Sequence, residues 1–364
     1  MAHTAIFLGA GASKTEGAPL QTELFKEYFS SDGFKRSRSK MDRELAAFFL
    51  EMFKLNVKAR NLDNLTFPTF EEVLGLTDLA VLRKESLRHF DIDSRGQKSS
   101  GRLRLIAQYL VFLVAKVLDK KLPRRRGHHR KLVRRLLEKD QLRHVAFVST
   151  NYDILIDNAL TEEPELGFDL DYTVEFRNFD PSFHGEYHWR RPDINNCVQL
   201  FKPHGSLNWL FCPTCNELEI TPKVKGVVER LISESDKRPC GRCGGVFSPI
   251  IVPPTFYKDL NNVFLSTIWN RADVCLQKVN HIVFCGYSFP DADIHIKYLL
   301  KRAQTNRTGP LNITVVNHFP EKKPEVAKEE KYRYDRFFGA GVKFTTTSFE
   351  QFTESPFTVI QIPA

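Results

Sequence analysis

Four cysteines, arranged as two Cys-x-x-Cys pairs, constrain this chain more than any other feature. Cys212 and Cys215 form the first pair, and Cys240 and Cys243 form the second after a gap of 24 residues. This spacing is typical of a tetrahedral site in which four thiolates bind one zinc ion. Because protein ligands fill all four positions, we expect a structural and not a catalytic zinc. Residues 211–249 are therefore predicted to form a small zinc ribbon.

The composition is that of a globular protein with a moderate excess of positive charge. Hydrophobic residues make up 42% and charged residues 27% of the 364 residues, which excludes a wholly disordered or collagen-like chain. No apolar run approaches the roughly 18 residues of a membrane-spanning helix, and the first nine residues lack the basic start of a signal peptide. We expect a cytoplasmic protein with no membrane contact, in which paired cysteines indicate a metal before disulfides. The net charge of +9 is compatible with an anionic ligand or nucleic acid and requires neither.

Strand and helix patterns alternate over most of the chain, outside one long helical segment. Short apolar runs predict strands at 4–8, 145–149, 198–202, 281–285 and 312–316. Helical patterns between these runs favour an α/β fold with a Rossmann-like, doubly wound parallel sheet. Apolar residues recur at helical spacing between residues 20 and 139, without a strong strand signal. The predicted domains are a Rossmann-like domain (1–19, 140–210 and 250–364), a helical insertion (20–139) and the zinc ribbon (211–249).

A glycine-rich turn follows the first predicted strand. The sequence Gly9-Ala10-Gly11-Ala12-Ser13 stands between this strand and a helix. Glycines at such a turn let the backbone approach a diphosphate, whose charge is stabilised by the N-terminus of the following helix. An ordinary tight turn explains the pattern equally well, because the third glycine of the dinucleotide fingerprint is absent.

Polar motifs follow two further predicted strands. Ser149-Thr150-Asn151-Tyr152-Asp153 comes after the second strand and Lys202-Pro203-His204-Gly205-Ser206 after the third. The carboxyl ends of strands in an open α/β sheet border the ligand crevice, so these side chains are candidates for a site. Helix capping is the alternative for the first motif, since Thr150, Asn151 and Asp153 are good cap residues. A hydrogen-bonded structural histidine is the alternative to a base or ribose-orienting role for His204.

The order of these motifs resembles that of the sirtuin family. The paired cysteines come after the His204 motif, and Phe284-Cys285-Gly286-Tyr287-Ser288 and Val315-Val316-Asn317 complete the series. The resemblance extends from residue 5 to about residue 317, outside the helical insertion. Sirtuins hold NAD between a Rossmann domain and a small zinc-ribbon domain, and they cleave its nicotinamide–ribose bond. The resemblance therefore implies NAD as the substrate and structural Zn²⁺ as the metal.

The resemblance also implies roles for individual residues. Asn151 and His204 would be the catalytic residues, with Asn151 at the ribose. Asp153 would bind the nicotinamide carboxamide. The residues implied to bind NAD are Gly9, Ala10, Gly11 and Ser13 on the phosphate and nicotinamide side, Asp153 at the carboxamide, Gly286 and Ser288 on the adenosine side, and Asn317 at the adenine ribose.

Two segments depart from the pattern of the protein deacylases in this family. Residues 18–24 keep only Pro19 of the proline-aspartate-phenylalanine-arginine segment in the cofactor loop, and residues 250–256 differ from the segment that pairs with acyl-lysine peptides. Together with residues 286–293, these departures resemble bacterial sirtuin-like proteins of anti-phage defence. Those proteins deplete NAD, and some act with a HerA-type DNA-translocase ATPase. The sequence thus predicts an NAD hydrolase that releases nicotinamide and ADP-ribose, with a protein deacylase or a non-catalytic NAD or ADP-ribose sensor as alternatives.

A basic stretch at residues 120–135 is a candidate interaction surface. It is rich in lysine and arginine, but Leu132, Val133, Leu136 and Leu137 give it an apolar side. It could contact nucleic acid, and it could equally be a solvated or protein-contacting helix face. No interleaved aromatic residues support stacking on single-stranded nucleic acid. We expect a homo-oligomer and a HerA-type ATPase as partners, and the sequence leaves direct nucleic-acid contact open.

Overall fold

The computed structural model describes residues 2–59, 61–92, 101–122, 127–161, 169–179, 187–190, 192–193, 196–220, 239–251, 262–319 and 322–360. The strands are β1 (Thr4–Leu8), β2 (Val145–Ser149), β3 (Asp169–Asp171), β4 (Phe176–Phe179), β5 (Tyr187–Arg190), β6 (Cys197–Phe201), β7 (Gly205–Cys212), β8 (Glu217–Ile220), β9 (Ser248–Ile251), β10 (His281–Cys285), β11 (Asn312–Val316) and β12 (Lys343–Phe344). The α-helices are α1 (Ala10–Thr15), α2 (Leu24–Ser30), α3 (Asp32–Arg36), α4 (Lys40–Phe53), α5 (Phe70–Arg83), α6 (Arg102–Lys121), α7 (His128–Glu138), α8 (Leu155–Thr161), α9 (Val263–Lys278), α10 (Ile294–Thr305), α11 (Pro324–Phe338) and α12 (Phe349–Glu354). None of the helices in these ranges is both long and apolar enough to cross a lipid bilayer.

A seven-stranded parallel sheet forms the centre of the chain and confirms the predicted fold class. Its strand order is β12-β11-β10-β1-β2-β6-β3. The chain passes from β1 outward through β2 to β6 and later returns to the other side of β1 at β10. This is the Rossmann strand order, and its topological switch point lies between β1 and β10. Strands β1, β2 and β10 are buried along their whole length, as expected where helices cover both faces of a parallel sheet.

Two strands of this sheet were not predicted from the sequence. The run at 312–316 was expected to be the last core strand, but β12 extends the sheet beyond it, pairing Val315 with Phe344. Strand β3 adds the opposite edge through the pairing of Leu170 with Val198. Both strands have only two or three residues, too few to show a periodic pattern in the sequence.

A second sheet of five strands contains the cysteine motifs. Its order is β5-β4-β8-β7-β9, and β7 pairs antiparallel with both β8 and β9. The predicted zinc ribbon at 211–249 contributes the end of β7, all of β8 and the start of β9 to this sheet. Strands β4 and β5 join it from outside the predicted module, because β4 pairs with β8.

The chain divides into two compact units. One consists of Met1–Ala18, Arg124–Val252 and Asp259–Ala364 and contains both sheets; most of the other is Pro19–Pro123, which is helical. The predicted domain boundaries stay a prediction, but α7, which they assign to the insertion, lies in the sheet unit. Its side chains Leu132, Val133 and Leu136 are completely buried in the same core as β1.

The helical unit is held together by packed aromatic rings. Phe49 contacts Phe25 and Phe29 edge to face, with ring centroids 4.7 and 4.9 Å apart. All three rings are completely buried. Thr69 and Glu72 form a capping box that fixes the start of α5, an arrangement that satisfies two otherwise unpaired N–H groups.

Candidate functional site

Three glycines bring the ends of β1 and β10 into direct backbone contact at the switch point. The N–H of Gly11 donates to the carbonyl of Gly286 at 2.8 Å. A Cβ on Gly9 would lie 2.6 Å from that carbonyl oxygen, and a Cβ on Gly286 would lie 2.1 Å from the nitrogen of Ala12. Gly286 also has a φ of +61°, a backbone conformation that residues with a side chain rarely adopt. The glycines therefore serve a close approach of two turns, with Ala10 opening helix α1 beside them.

Ser13, Asn151 and Asp153 form one hydrogen-bonded group at this edge of the sheet. The Ser13 hydroxyl donates to Asp153 Oδ2 at 2.6 Å and accepts from Asn151 Nδ2 at 2.8 Å. The Asn151 amide also lies 2.9 Å from the carbonyl oxygen of Gly9, to which it donates. Ser13 and Asp153 are buried. The structure thus joins two motifs that are about 140 residues apart in the sequence.

Asp153 also determines where helix α8 begins. Its Oδ1 accepts a hydrogen bond from the N–H of Leu155 at 3.1 Å. The helix therefore starts at Leu155. Residues 151–154 remain irregular, which lets Asn151 and Asp153 face the glycine turn. Capping and participation in the site coexist in this one carboxylate.

His204 lies beside this group in the turn after β6. Its Nδ1 is 3.3 Å from the carbonyl oxygen of Thr150, and its Nε2 is 3.4 Å from Oδ1 of Asp293. Both side chains are only 2% exposed. The second carboxylate oxygen of Asp293 accepts from the hydroxyl of Tyr287 at 2.8 Å. The ring of His204 is thus held between the β2–α8 loop and the start of α10.

A buried lysine connects the His204 segment to the Asn151 loop. The ammonium of Lys202 donates to the carbonyl of Asp153 at 2.6 Å and to the carboxylate of Asp157 at 2.9 Å. The hydroxyl of Tyr172 donates to the other oxygen of Asp157. Burial and the charge of Asp157 raise the pKa of Tyr172 well above its ordinary value, so its proton stays in this network.

Two of the predicted adenosine-side residues lie at neighbouring strand ends without touching the Ser13 group. Ser288 follows β10 with an exposed side chain, and its carbonyl accepts from Arg333 of α11 at 3.0 Å. Asn317 follows β11, and its amide donates to the buried carboxylate of Glu330. Parallel strands end at one edge of a sheet, which is why these residues share that edge with residues 9–13.

The four predicted metal ligands converge. The Sγ atoms of Cys212, Cys215, Cys240 and Cys243 all lie within 4.8 Å of one another. The Cys212–Cys243 and Cys215–Cys240 pairs are 3.5 and 3.6 Å apart. A disulfide needs about 2.05 Å, whereas thiolates about 2.3 Å from a tetrahedral zinc ion lie roughly 3.8 Å from each other. The cluster is therefore a four-cysteine site that could hold a metal ion.

Backbone N–H groups favour the thiolate form of Cys212, whereas burial and the neighbouring thiols raise the pKa of Cys215 to about 12. Burial alone would raise the pKa of the Cys212 thiol, but the N–H groups of Cys215 and Thr214 donate to its sulfur and lower the pKa to about 7. The N–H of Gly245 donates to Cys243 at 3.4 Å. A Cβ on Gly245 would lie 2.7 Å from the hydroxyl oxygen of Thr214, so the second cysteine turn fits closely against the first.

Sequence reasoning missed Lys202, Asp157 and Asp293. Lys202 and Asp293 belong to the sequence motifs that contain His204 and Gly286, but the sequence analysis gave neither residue a role. Their partners are distant in sequence, and only the fold brings Lys202 to Asp157 and Asp293 to His204. The one sequence signal was a lysine at the end of an apolar strand. A lysine is almost never fully buried without a partner, so this position indicates a buried acidic group nearby.

The chain is similar to known proteins in sequence and in structure. A family model described as a SIR2-like domain matches residues 145–336. The chain is similar to a solved Sir2 bound to acetylated peptide, at 12% identity over 98% of this chain and 92% of that chain, with a TM-score of 0.42. It is also similar to a Sir2 homologue in complex with NAD, at 13% identity over 96% and 86% of the two chains, with a TM-score of 0.39. No curated protein matches the chain.

Proposed function

We propose, from the premise that this chain belongs to the family of SIR2-like domains, that it hydrolyses NAD at the nicotinamide–ribose bond. The family model covers residues 145–336, more than half of the 364 residues. The observation that carries the proposal is the hydrogen-bonded group of Ser13, Asn151 and Asp153 beside His204 at the switch point. Open α/β sheets bind their ligands at this position.

In this proposal, each part of NAD would lie against a different part of the sheet edge. The diphosphate would lie against the backbone of Gly9, Ala10 and Gly11. Nicotinamide and its ribose would face the Ser13 group, with Asp153 at the carboxamide. The adenosine half would extend past Gly286 and Ser288 toward Asn317.

The reaction needs orientation more than acid catalysis. Nicotinamide carries a positive charge in NAD, and when the C1′–N bond breaks it leaves as a neutral molecule with the bonding electrons. The ribose then passes through an oxocarbenium-like state, as in other glycoside cleavages. Asn151 would hold the ribose and a water molecule in place. His204 would accept the proton that this water loses when its oxygen bonds to C1′, giving ADP-ribose and a proton released to solvent.

The four-cysteine cluster supports a structural zinc ion in this proposal. A zinc ion with four thiolate ligands has no open position for substrate, and what it supplies when bound is stability. Cys212 closes strand β7, while Cys240 and Cys243 precede β9. Cross-linking the two loops would hold the second sheet together at this end.

The biological role in this proposal is anti-phage defence by depletion of the cytoplasmic NAD pool. It rests on the motif departures at residues 18–24 and 250–256 and on the segment at residues 286–293. An enzyme that destroys NAD without control would kill its host, so we propose that self-association and a HerA-type ATPase switch it on. Helix α7 offers a surface for this, because Arg134 and Arg135 are exposed while its apolar side is buried.

A product assay tests the proposed function. Purified protein is incubated with NAD, with and without an acetyl-lysine peptide and the partner ATPase, and the products are separated by chromatography. Equal amounts of nicotinamide and ADP-ribose without peptide support the hydrolase. Acyl-ADP-ribose formed only with peptide would identify a deacylase, and tight NAD binding without any product would identify a sensor.

A further inference from the structure

A buried carboxylate fixes the orientation of the side-chain amide of Asn317. The Nδ2 of Asn317 donates to Oε1 of Glu330, and a carboxylate can only accept hydrogen bonds. The amide nitrogen is therefore turned toward Glu330, and the amide oxygen is turned away from it. Glu330 is 1% exposed, whereas Asn317 is half-buried. Among the residues that the structure describes, Asn317 makes no other side-chain hydrogen bond, so its oxygen is left to accept one from a ligand.

Lys322 holds the second oxygen of the same carboxylate. Its ammonium donates to Oε2 of Glu330, and its side chain is 24% exposed. A buried carboxylate needs a partner for its charge, and Lys322 supplies that partner from the chain just before α11. The Glu330–Lys322 pair therefore keeps Glu330 in place behind Asn317, and it also commits this ammonium to a carboxylate of the protein.

Backbone hydrogen bonds connect Asn317 to the glycine turn at the switch point. The N–H of Gly11 donates to the carbonyl of Gly286 at 2.8 Å, and the N–H of Gly286 donates to the carbonyl of Val316 at 3.1 Å. Neighbouring strands are about 4.8 Å apart, so the ends of β1 and β11 are separated by roughly 10 Å across the sheet. A ribose attached to a diphosphate at the glycine turn can therefore reach the amide of Asn317.

We propose that Glu330 is a positioning residue that makes the site select an adenosine ribose with a free 2′-hydroxyl, and therefore NAD over NADP. This inference rests on the proposed function and narrows its substrate. A 2′-hydroxyl can donate to the amide oxygen of Asn317. A 2′-phosphate carries about two negative charges and offers acceptor oxygens, so it would meet an amide oxygen with a carboxylate behind it. Acceptors that face each other without a proton between them disfavour binding of NADP.

Two further cations of α11 have partners of their own. The guanidinium of Arg333 donates to the carbonyl of Ser288 at 3.0 Å. The ammonium of Lys331 lies over the ring of Phe319, 4.9 Å from its centroid. The charge directly behind the amide of Asn317 is thus set by the Glu330–Lys322 pair.

Titration calorimetry of the full chain with ADP-ribose and with ADP-ribose 2′-phosphate tests this selection without depending on turnover. Neither ligand contains the nicotinamide–ribose bond, and the two differ only in the 2′-phosphate. We expect the wild type to bind ADP-ribose about 10- to 100-fold more tightly than its 2′-phosphate. A general loss of structure weakens both ligands alike, so the ratio of the two dissociation constants reports on the 2′ position.

Glu330→Gln is the main variant, because it removes the charge and frees the Asn317 amide to turn its nitrogen outward. We expect the ratio to fall by about 10-fold, mainly through tighter binding of the 2′-phosphate. The same change leaves Lys322 without its counter-charge, so Glu330→Gln with Lys322→Met separates the two effects and should keep the ratio low. Glu329→Gln is the matched control, since Glu329 is the preceding residue of α11 but is 61% exposed; it should keep the wild-type ratio.

The outcomes separate this inference from the proposed function. Equal affinity of the wild type for the two ligands, binding of neither, or a wild-type ratio in Glu330→Gln or in the double variant would overturn the inference, whatever the rate of nicotinamide release. The expected ratios in a chain that releases no nicotinamide from NAD would support the selection and contradict the hydrolase. Should Glu330→Gln fail to fold, Asn317→Ala carries the comparison: it removes the amide oxygen, so ADP-ribose should bind more weakly and the ratio should fall.

Discussion

The ammonium of Lys202 lies 2.9 Å from the carboxylate of Asp157, and neither side chain is exposed to solvent. Because the same ammonium donates to the carbonyl of Asp153, this ion pair ties the segment that carries His204 to the loop that carries Asn151. The segments of the two proposed catalytic residues are thus connected through one buried cation.

Replacing Lys202 by methionine should destabilise the protein strongly. The change leaves the Asp157 carboxylate buried without its counter-charge, which costs about 3–5 kcal/mol. Adding Asp157→Asn should restore part of this loss, because the double variant buries no uncompensated charge. Urea unfolding of the two single variants and the double variant measures the coupling. Losses that simply add would show that the two residues do not depend on each other.

An exposed ion pair provides the control for that cycle. Arg135 and Glu138 on α7 are 2.9 Å apart, and both side chains are 46% exposed. Breaking this pair by Arg135→Met should change the free energy of unfolding by less than about 1 kcal/mol.

The pair of Glu16 and His129 should make stability depend on pH in the acid range. Burial alone would raise the pKa of Glu16, but hydrogen bonds from the His129 ring and backbone, the charge of that ring and the N–H of Gly127 lower it to about 2. A lowered pKa stabilises the fold above the unfolded-state value of about 4.5, and this contribution is lost as the pH falls toward 2. Glu16→Gln should therefore be less stable at neutral pH and lose less stability on acidification.

Unfolding measured at several pH values between about 2 and 7 checks this prediction. Glu354→Gln is the matched control. Glu354 pairs with Lys131, which lies on α7 as His129 does, but the Glu354 side chain is 51% exposed. Equal pH dependence in the wild type and Glu16→Gln would show that this carboxylate is not linked to folding.

Metal content should depend on the cysteine cluster alone. Cys212→Ser and Cys240→Ser each remove one thiolate, so we expect loss of stoichiometric zinc and a less stable second sheet. Cys275→Ala on α9 lies outside the cluster and should keep the metal. Elemental analysis of the purified proteins gives the result. A wild type without stoichiometric metal would contradict the proposed zinc site.

Charge reversal on α7 should separate assembly from folding. Arg134 and Arg135 are exposed, whereas Leu132, Val133 and Leu136 anchor the helix. Arg134→Glu with Arg135→Glu should therefore leave the fold intact and weaken both self-association and activation by the ATPase. Light scattering and NAD turnover measure the two effects. If the double variant assembles and is activated normally, the exposed side of this helix only contacts solvent and does not bind a partner.

The central strands of the parallel sheet could be predicted from the sequence, because they are continuous apolar runs followed by glycine or polar turns. The runs at 4–8, 145–149, 281–285 and 312–316 all form strands with those bounds. The cysteine cluster was equally predictable, since two close pairs that bind one ion must meet in space. In both cases, the pattern that predicts the structure is formed by residues that are close together in the sequence.

The rest depends on contacts between distant residues. Strand β12 has two residues, and it exists because Phe344 pairs with Val315. The roles of Asp157 and Asp293 follow from partners that are 45 and 89 positions away. A single sequence carries no local pattern for such pairs, so the predicted list named His204 and omitted the groups that hold it.

Substitutions in the Ser13 group test which residues serve NAD binding and which serve cleavage of the nicotinamide–ribose bond. Asp153→Ala should act mainly on KM for NAD, because a carboxamide contact is made in the ground state and the transition state alike. Asn151→Ala should act mainly on kcat, since it removes the amide that donates to Ser13 and Gly9 and that would orient the ribose in the proposed site. The initial rate of nicotinamide release over a range of NAD concentrations separates the two parameters. An equal effect of both variants on KM would contradict this division.

The most direct test of the central claim is the rate of nicotinamide release from NAD by the wild type, Asn151→Ala and His204→Ala. It is measured under the conditions in which the wild type is most active, with circular dichroism and zinc content as controls for folding. We expect the wild type to release nicotinamide and ADP-ribose in equal amounts, and both variants to be slower by roughly 100- to 10,000-fold. Near-wild-type rates in both folded variants would contradict the assignment of NAD hydrolysis to this site.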